Sequence, residues 1–269
     1  MPESEDLTAA GAPRAYAAEV TARLRAALGG ALTAAYLHGS AALGGWSAER
    51  SDVDILFLVA DDIAPRAAAL SGEVLLSATV GCPGRCLEAS VVTASAAARP
   101  APPWPFVLHV GYRDDEQVLY TGAVSPGTTG RQGDPDLLMH YAVCRAAGLV
   151  LAGPPPRQAI GPVDRRIVLG YLAGELGWGL ANAPENYAVL NACRALVYLR
   201  HGRIVAKVAG GLAVIEDGGW PAGLIRRALD QQQARAREQA PGQDAVAFVR
   251  GVAEQLRAAA AAPSASPPS

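Results

Sequence analysis

Two apolar runs, Leu32–Leu37 and Val53–Val59, stand either side of a short polar stretch, and the residues at their junctions restrict what this chain can become. The stretch reads YLHGSAALGGWSAERSDVDILFL from Tyr36 to Leu58: Gly39-Ser40 closes the first run, eleven residues follow, and Asp52-Val53-Asp54 opens the second. Side chains alternate faces along a strand, so Asp52 and Asp54 point the same way. Two carboxylates on one face repel unless a cation lies between them. Mg²⁺ suits that place, because it takes one or two carboxylates plus substrate phosphates. A Gly-Ser pair just upstream lets backbone and hydroxyl approach a phosphate closely. The arrangement therefore reads as a metal-dependent nucleotide site. The bland alternative is a turn followed by a capping Asp-x-Asp.

Bulk properties narrow the partners. A chain of 269 residues can bury an ample core in one large domain or two small ones. Its net charge of −2 and pI of about 6.1 give no basic footprint, which argues against a nucleic-acid substrate. The polar, acidic N-terminus lacks a secretory apolar segment, and no apolar run approaches a membrane span. The expectation is a cytoplasmic monomer with no membrane contact. Cys82, Cys86, Cys144 and Cys193 lack the paired spacing of a zinc site, and the last two fall on apolar helical faces.

Periodicity separates two regions. A helix is expected over 14–29, then strands near Leu32–Leu37, Val53–Val59, Val74–Val80, Leu87–Thr93 and, after the proline-rich bend 99–105, Phe106–Tyr112. Asp134-Pro135-Asp136 looks like a helix start. Beyond Gly153–Pro156, helical runs are expected at 164–181, 186–201, 220–237 and 243–261, with stripes at Val189, Leu190, Cys193, Leu196 and Val197 and at Val246, Val249, Val252 and Leu256. The predicted architecture is an α/β (α+β) domain with a mixed sheet over 1–153, an all-α helical bundle over 154–260, and a disordered tail over 261–269.

Transfer to a hydroxyl needs a proton acceptor or a third metal ligand besides the two aspartates. Glu88, on the expected strand Leu87–Thr93, is the candidate, since an adjacent strand can bring it opposite Asp52 and Asp54. An ordinary solvent-facing strand glutamate is the competing reading.

The Gly-Ser…Asp-x-Asp pattern resembles the nucleotidyltransferase superfamily of DNA polymerase β type. A longer set of motifs resembles the bacterial aminoglycoside adenylyltransferases that modify streptomycin and spectinomycin. It comprises LHGSA at 37–41, SDVDILFL at 51–58, LEASVV at 87–92, Pro103-Trp104, Asp134-x-Asp136-Leu137, Glu185…Val189-Leu190…Arg194 and Gly202-Arg203-Ile204…Lys207. The match runs in order over roughly residues 30–235.

That resemblance implies transfer of AMP from ATP, with Mg²⁺ as cofactor, to a hydroxyl of an aminoglycoside or aminocyclitol antibiotic. It implies that Asp52, Asp54 and Glu88 form the metal and catalytic set, with Glu88 as general base. Gly39, Ser40, Ser51 and Lys207 fall to the nucleotide. Lys207, the only lysine, also suits the charge that develops on departing pyrophosphate. Trp104, Trp178 and Glu185 fall to the acceptor.

The segment Trp178–Glu185 is shorter and poorer in acids than in the family, and the family's Arg-Asn becomes Asn186-Tyr187. Each lost charged hydrogen bond to a guanidinium costs about 1.5–3 kcal/mol, so spectinomycin is easier to keep than streptomycin. Two other classes stay open: an adenylyltransferase with a different small-molecule or protein acceptor, and a non-catalytic binding or toxin–antitoxin protein of the same fold.

Overall fold

A computed structural model describes residues 4–113, 116–122, 131–233 and 239–262. The chain divides into two compact units, Met1–Val163 and Asp164–Ser269. The stiff connector Gly153–Pro156 therefore lies inside the first unit, ten residues short of the division. Pro156–Ala159 forms a short helix there, and Gly161 donates its backbone N–H to Ala97.

The first unit runs α1 (Ser4–Leu28), β1 (Leu32–Leu37), α2 (Gly39–Ala42), β2 (Val53–Val59), α3 (Ala64–Ala78), β3 (Leu87–Thr93), α4 (Ala94–Ala98), β4 (Leu108–Arg113), β5 (Glu116–Thr121), α5 (Leu137–Ala147), β6 (Leu149–Ala152) and α6 (Pro156–Ala159). The sheet order is β5-β4-β3-β2-β1-β6. Only β2 and β3 run parallel; the other neighbours are antiparallel, so the sheet is mixed as expected.

Alternation gives this sheet two different faces. Ala35, Leu37, Val53, Ile55, Phe57, Leu87, Ala89, Val91, Leu108 and Val110 pack with Val20 and Leu24 of α1 and Leu75 of α3 into one core. The residues between them, Asp54, Glu88, Ser90 and His109, belong to the opposite face.

The strand expected at Val74–Val80 is instead the end of α3. Ala64, Ala67, Ser71, Leu75 and Ala78 are buried at three- and four-residue intervals, whereas Leu76 and Val80 are exposed. A local run rich in Val and Leu suggested period two, but the surface it has to cover selects period 3.6. Helix α1 begins well before residue 14 and continues through Pro13. Strands β5 and β6 went unanticipated.

The second unit is all helical: α7 (Arg165–Asn182), α8 (Glu185–His201), α9 (Lys207–Asp217), α10 (Ala222–Gln233) and α11 (Gln243–Ala261). The predicted α8 stripe is fully buried. In α11, Val249, Val252 and Leu256 are buried as expected, but Ala245 and Phe248 join them in place of the partly exposed Val246. Helix α8 stops where Gly202 adopts φ 64°, a left-handed C-cap. Helix α9 escaped the sequence reading because Gly210 and Gly211 interrupt its pattern. They are there for contact: a Cβ at Gly210 would press on the Arg194 backbone, and one at Gly211 on Leu229 and Leu190. Of the expected tail at 261–269, residues 263–269 lie outside the described residues. No described helix is long and apolar enough to cross a membrane.

Candidate active site

Asp54 and Glu88 are direct partners in the parallel β2–β3 register. They share the face of the sheet that α1 and α3 leave uncovered. Beside them the chain leaves β1 at His38, whose backbone N–H donates to Asp54 O at 2.9 Å. The next residue, Gly39, takes φ 59°, and a Cβ there would collide with Asp54 Oδ2. Only glycine lets the backbone lie this close to the carboxylate. This close approach is the structural reason for the glycine in the Gly39-Ser40 motif.

Asp52 sits just before β2, in the grip of the loop 81–86. Arg85 N–H donates to Ser51 O and Val53 N–H to Cys86 O, both at 2.9 Å. This pairing sets the Cys86 thiol 3.0 Å from Asp52 Oδ1 and Arg85 Nε 3.8 Å from the same oxygen. Burial and the adjacent Asp52 carboxylate push the Cys86 thiol far up, so it stays protonated and can donate. Sequence reasoning had given Cys86 no role. The Ser51 hydroxyl accepts from Ser47 N–H at 3.0 Å, which leaves its own proton for a ligand. Ser40 lies in the first turn of α2.

Glu88 is surrounded by imidazoles. His140 Nε2 lies 3.5 Å from Glu88 Oε1; the His140 side chain is 12% exposed and that of Glu88 31%. The His38 ring packs on His140 with centroids 4.8 Å apart. His109, paired with Ser90 across β3–β4, has Nδ1 2.9 Å from Ser90 Oγ and 4.0 Å from Asp134 Oδ2. Three of the chain's four histidines thus gather around one carboxylate.

Their charges follow from that geometry. Burial alone would raise the Glu88 pKa, but the hydrogen bond and charge of His140, helped by His109 and His38, hold it well below the usual carboxylate range. Burial would lower His140, yet the Glu88 hydrogen bond and charge, with Asp54 and Asp134, lift it to about 9. Burial and the neighbouring His140 keep His38 neutral. Near neutral pH, Glu88 is therefore an ionised acceptor paired with a protonated His140. None of the histidines was singled out for chemistry from sequence, because their convergence depends on where α5 and β4 pack.

The remaining expected residues divide. Trp104 is buried at 6% exposure, and its carbonyl accepts Asp134 N–H at 3.0 Å, so it is a packing residue and not a wall of an open site. It has φ 62°, the one positive φ of a non-glycine among the described residues, a sparsely populated conformation. Glu185 is likewise tied into the fold. It is 9% exposed, its Oε2 accepts Gly242 N–H at 2.8 Å, and its own N–H donates to Gln239 O. Those bonds tie the start of α8 to the α10–α11 connection and engage one of the two carboxylate oxygens.

Trp178 is 52% exposed and stands edge-on to Tyr187 at 6.3 Å. Lys207 opens α9 with Nζ 4.2 Å from the Tyr187 ring centroid, a cation–π contact.

Hard oxygen donors on neighbouring backbone positions, with Gly39 keeping space beside Asp54, fit a Mg²⁺ site of two carboxylates completed by phosphate oxygens. No group of three or more His, Cys, Asp or Glu among the described residues is arranged to hold a metal ion by itself. Glu88, the third carboxylate expected from sequence, lies 3.5 Å from His140 Nε2.

A mixed sheet with in-register Asp54 and Glu88, a Gly-Ser turn against Asp54, and an all-α second unit make up a nucleotidyltransferase-type fold. The second unit is more specific, for residues 173–257 match the model of the aminoglycoside adenylyltransferase C-terminal domain. The resemblance drawn from sequence is thereby borne out. No curated protein matches the chain in sequence. In fold the chain resembles a spectinomycin adenyltransferase from Enterococcus faecialis crystallised with ATP and spectinomycin. The TM-score is 0.62 at 16% identity, over 91% of this chain and 99% of that one.

Proposed function

We propose that the protein transfers AMP from ATP to a hydroxyl of an aminocyclitol or aminoglycoside antibiotic, and so confers resistance to it. The observation that carries this reading is the pairing of Asp54 with Glu88 beside the Gly39 turn, joined to a helical unit that matches the family model. The related structure with ATP and spectinomycin supports both co-substrates.

Asp52 and Asp54 would hold Mg²⁺, which when bound neutralises phosphate charge and favours departure of pyrophosphate. Ser40 and Ser51 contribute hydroxyls, and the turn at Gly39 contributes close backbone, toward the phosphates. On the resemblance, Lys207 offsets the charge developing on pyrophosphate. Glu88 takes the proton of the acceptor hydroxyl. The freed oxygen forms a bond to the α-phosphorus, the bond from that phosphorus to the bridging oxygen breaks, and pyrophosphate leaves with the electron pair.

A spectinomycin-type acceptor is favoured over a guanidinium-bearing one. Two acids of the helical unit already have partners: Glu185 has Gly242, and Asp217 has Arg200 at 3.0 Å and His201 at 3.4 Å. The direct test is pyrophosphate release from ATP and Mg²⁺ with spectinomycin, streptomycin and other aminoglycosides. Release with spectinomycin, coupled to a mass increase of the drug by one AMP, is the expected result. Release with none of them defeats the antibiotic reading.

A further inference from the structure

Glu88 presents a difficulty as a base. A glutamate has a long, rotatable side chain, and general-base catalysis needs its carboxylate oxygen held within hydrogen-bond reach of the proton it takes. Position offers a resolution. The His140 side chain is less exposed than that of Glu88, and its Nε2 lies 3.5 Å from Oε1.

The pocket behind the pair is unusual in composition. His38 Nε2 and His140 Nδ1 are both buried without a hydrogen-bond partner among the described residues. Leaving a buried polar atom unsatisfied costs about 1–3 kcal/mol, and such groups call for an explanation in role. Packing alone does not supply one, since an apolar ring would fill the same space at less cost. The hydrogen-bonding capacity that is used points at Glu88. The first turn of α5, which delivers His140, is in turn fixed: Asp136 N–H donates to Asp134 Oδ1 at 3.1 Å, and Asp134 N–H donates to the Trp104 carbonyl at 3.0 Å.

We infer that His140 is the positioning residue of Glu88: its Nε2–H holds Oε1, directs the other carboxylate oxygen to the acceptor hydroxyl, and keeps Glu88 out of the metal's ligand set. Asp52 and Asp54 alone then carry the metal. The inference rests on the reading of Glu88 as the base. It also goes beyond that reading, because it separates Glu88, held by His140, from the two carboxylates that carry the metal. When Glu88 accepts the hydroxyl proton, the Glu88–His140 pair gains one positive charge next to the reacting oxygen, and the imidazole N–H stays in place.

The test has two arms on the full chain. In the first, Mn²⁺ binding is measured by electron paramagnetic resonance with a non-hydrolysable ATP analogue present. Asp54→Asn should weaken Mn²⁺ at least tenfold, while Glu88→Gln and His140→Leu should leave it within twofold. A tenfold loss in Glu88→Gln makes Glu88 a ligand and overturns the inference. In the second arm, His140→Leu should lower kcat for AMP transfer about 10–100-fold, the range for lost supporting contacts, with KM for ATP within twofold. His140→Gln, whose amide N–H reaches the place of Nε2, should restore most of kcat. Full turnover in His140→Leu overturns the inference, as does a loss that His140→Gln fails to recover. If the wild-type protein adenylates none of the acceptors, the proposed function fails by itself. The pairing is then read from the His140 Nε2–H resonance by nuclear magnetic resonance: Glu88→Gln should shift it, and an unchanged resonance overturns the inference.

Discussion

The two faces of the central sheet are made by the same strands, yet they answer to different demands. Toward α1 and α3, the inward positions of β1, β2, β3 and β4 are apolar and buried except at the strand ends, where Thr93 is partly buried and Tyr112 is exposed. On the other face, alternate residues of those strands give Asp54, Glu88, Ser90 and His109, with His140 arriving from α5. The apolar face is additive and local: each side chain contributes its own buried area. The polar face is cooperative, because the charge state of Glu88 depends on His140 and that of His140 on Glu88, Asp54 and Asp134. The chemistry thus gathers on one side of the sheet, one residue in sequence from the core of the other.

Substitutions can separate the two faces. The largest effect is expected on the polar side. Glu88→Gln should lower AMP transfer about 10²–10⁴-fold, the usual contribution of a positioned base, while ATP affinity and melting temperature stay close to wild type. Near-full turnover would remove Glu88 from the base role. On the apolar side, Phe57→Ala should cost about 3–5 kcal/mol of stability in denaturant titration, as for other fully buried aromatics. The protein that remains folded should keep its kcat. A comparable loss of kcat per folded molecule would show the faces to be coupled.

Gly39→Ala acts at the edge between them. It forces a side chain into the left-handed region and against Asp54, so a loss of about 1–3 kcal/mol in stability should accompany a weaker Mg²⁺ dependence of activity. The smallest effect is a pH dependence. His140 is lifted from 6.5 to about 9, so its contribution is full below about pH 6.5 and disappears as pH rises through about 9. Glu88 is depressed from 4.5, so its contribution is present above about pH 4.5 and is lost as pH falls through its lower folded value. Melting temperature should therefore decline between pH 6.5 and 9, and His140→Leu should flatten that decline.

Much of this was legible in the residues themselves. The β1 and β2 runs, the β3 strand and its Glu88, and the α8 stripe follow from local pattern alone. Glu88 was placed opposite Asp54 because an adjacent strand can bring it there, and β3 does lie beside β2, in parallel. The misreadings have a common cause in tertiary context. The Val74–Val80 segment looked like a strand until the sheet surface beneath α3 was known, and Gly210 and Gly211 hid a helix that needs them for close packing. Glu185 and Trp104 looked like ligand-facing residues because their motif neighbours were. Their bonds to Gly242 and Asp134 come from segments 57 and 30 residues away. His140 carried no motif, and only the docking of α5 brings it to Glu88.

The contorted backbone at Trp104 bears on how this protein can diversify. Surface loops usually accept insertions and exchanges freely. The bend around Trp104 lacks that freedom, because its carbonyl anchors Asp134 and a Cβ at Gly133 would collide with Pro103 O. A change of length there would be passed through Asp134 and Asp136 to the first turn of α5, and from it to the imidazole beside Glu88. Variants selected for new acceptors should therefore accumulate changes elsewhere and leave 101–104 and 133–136 to drift together, as one inherited block.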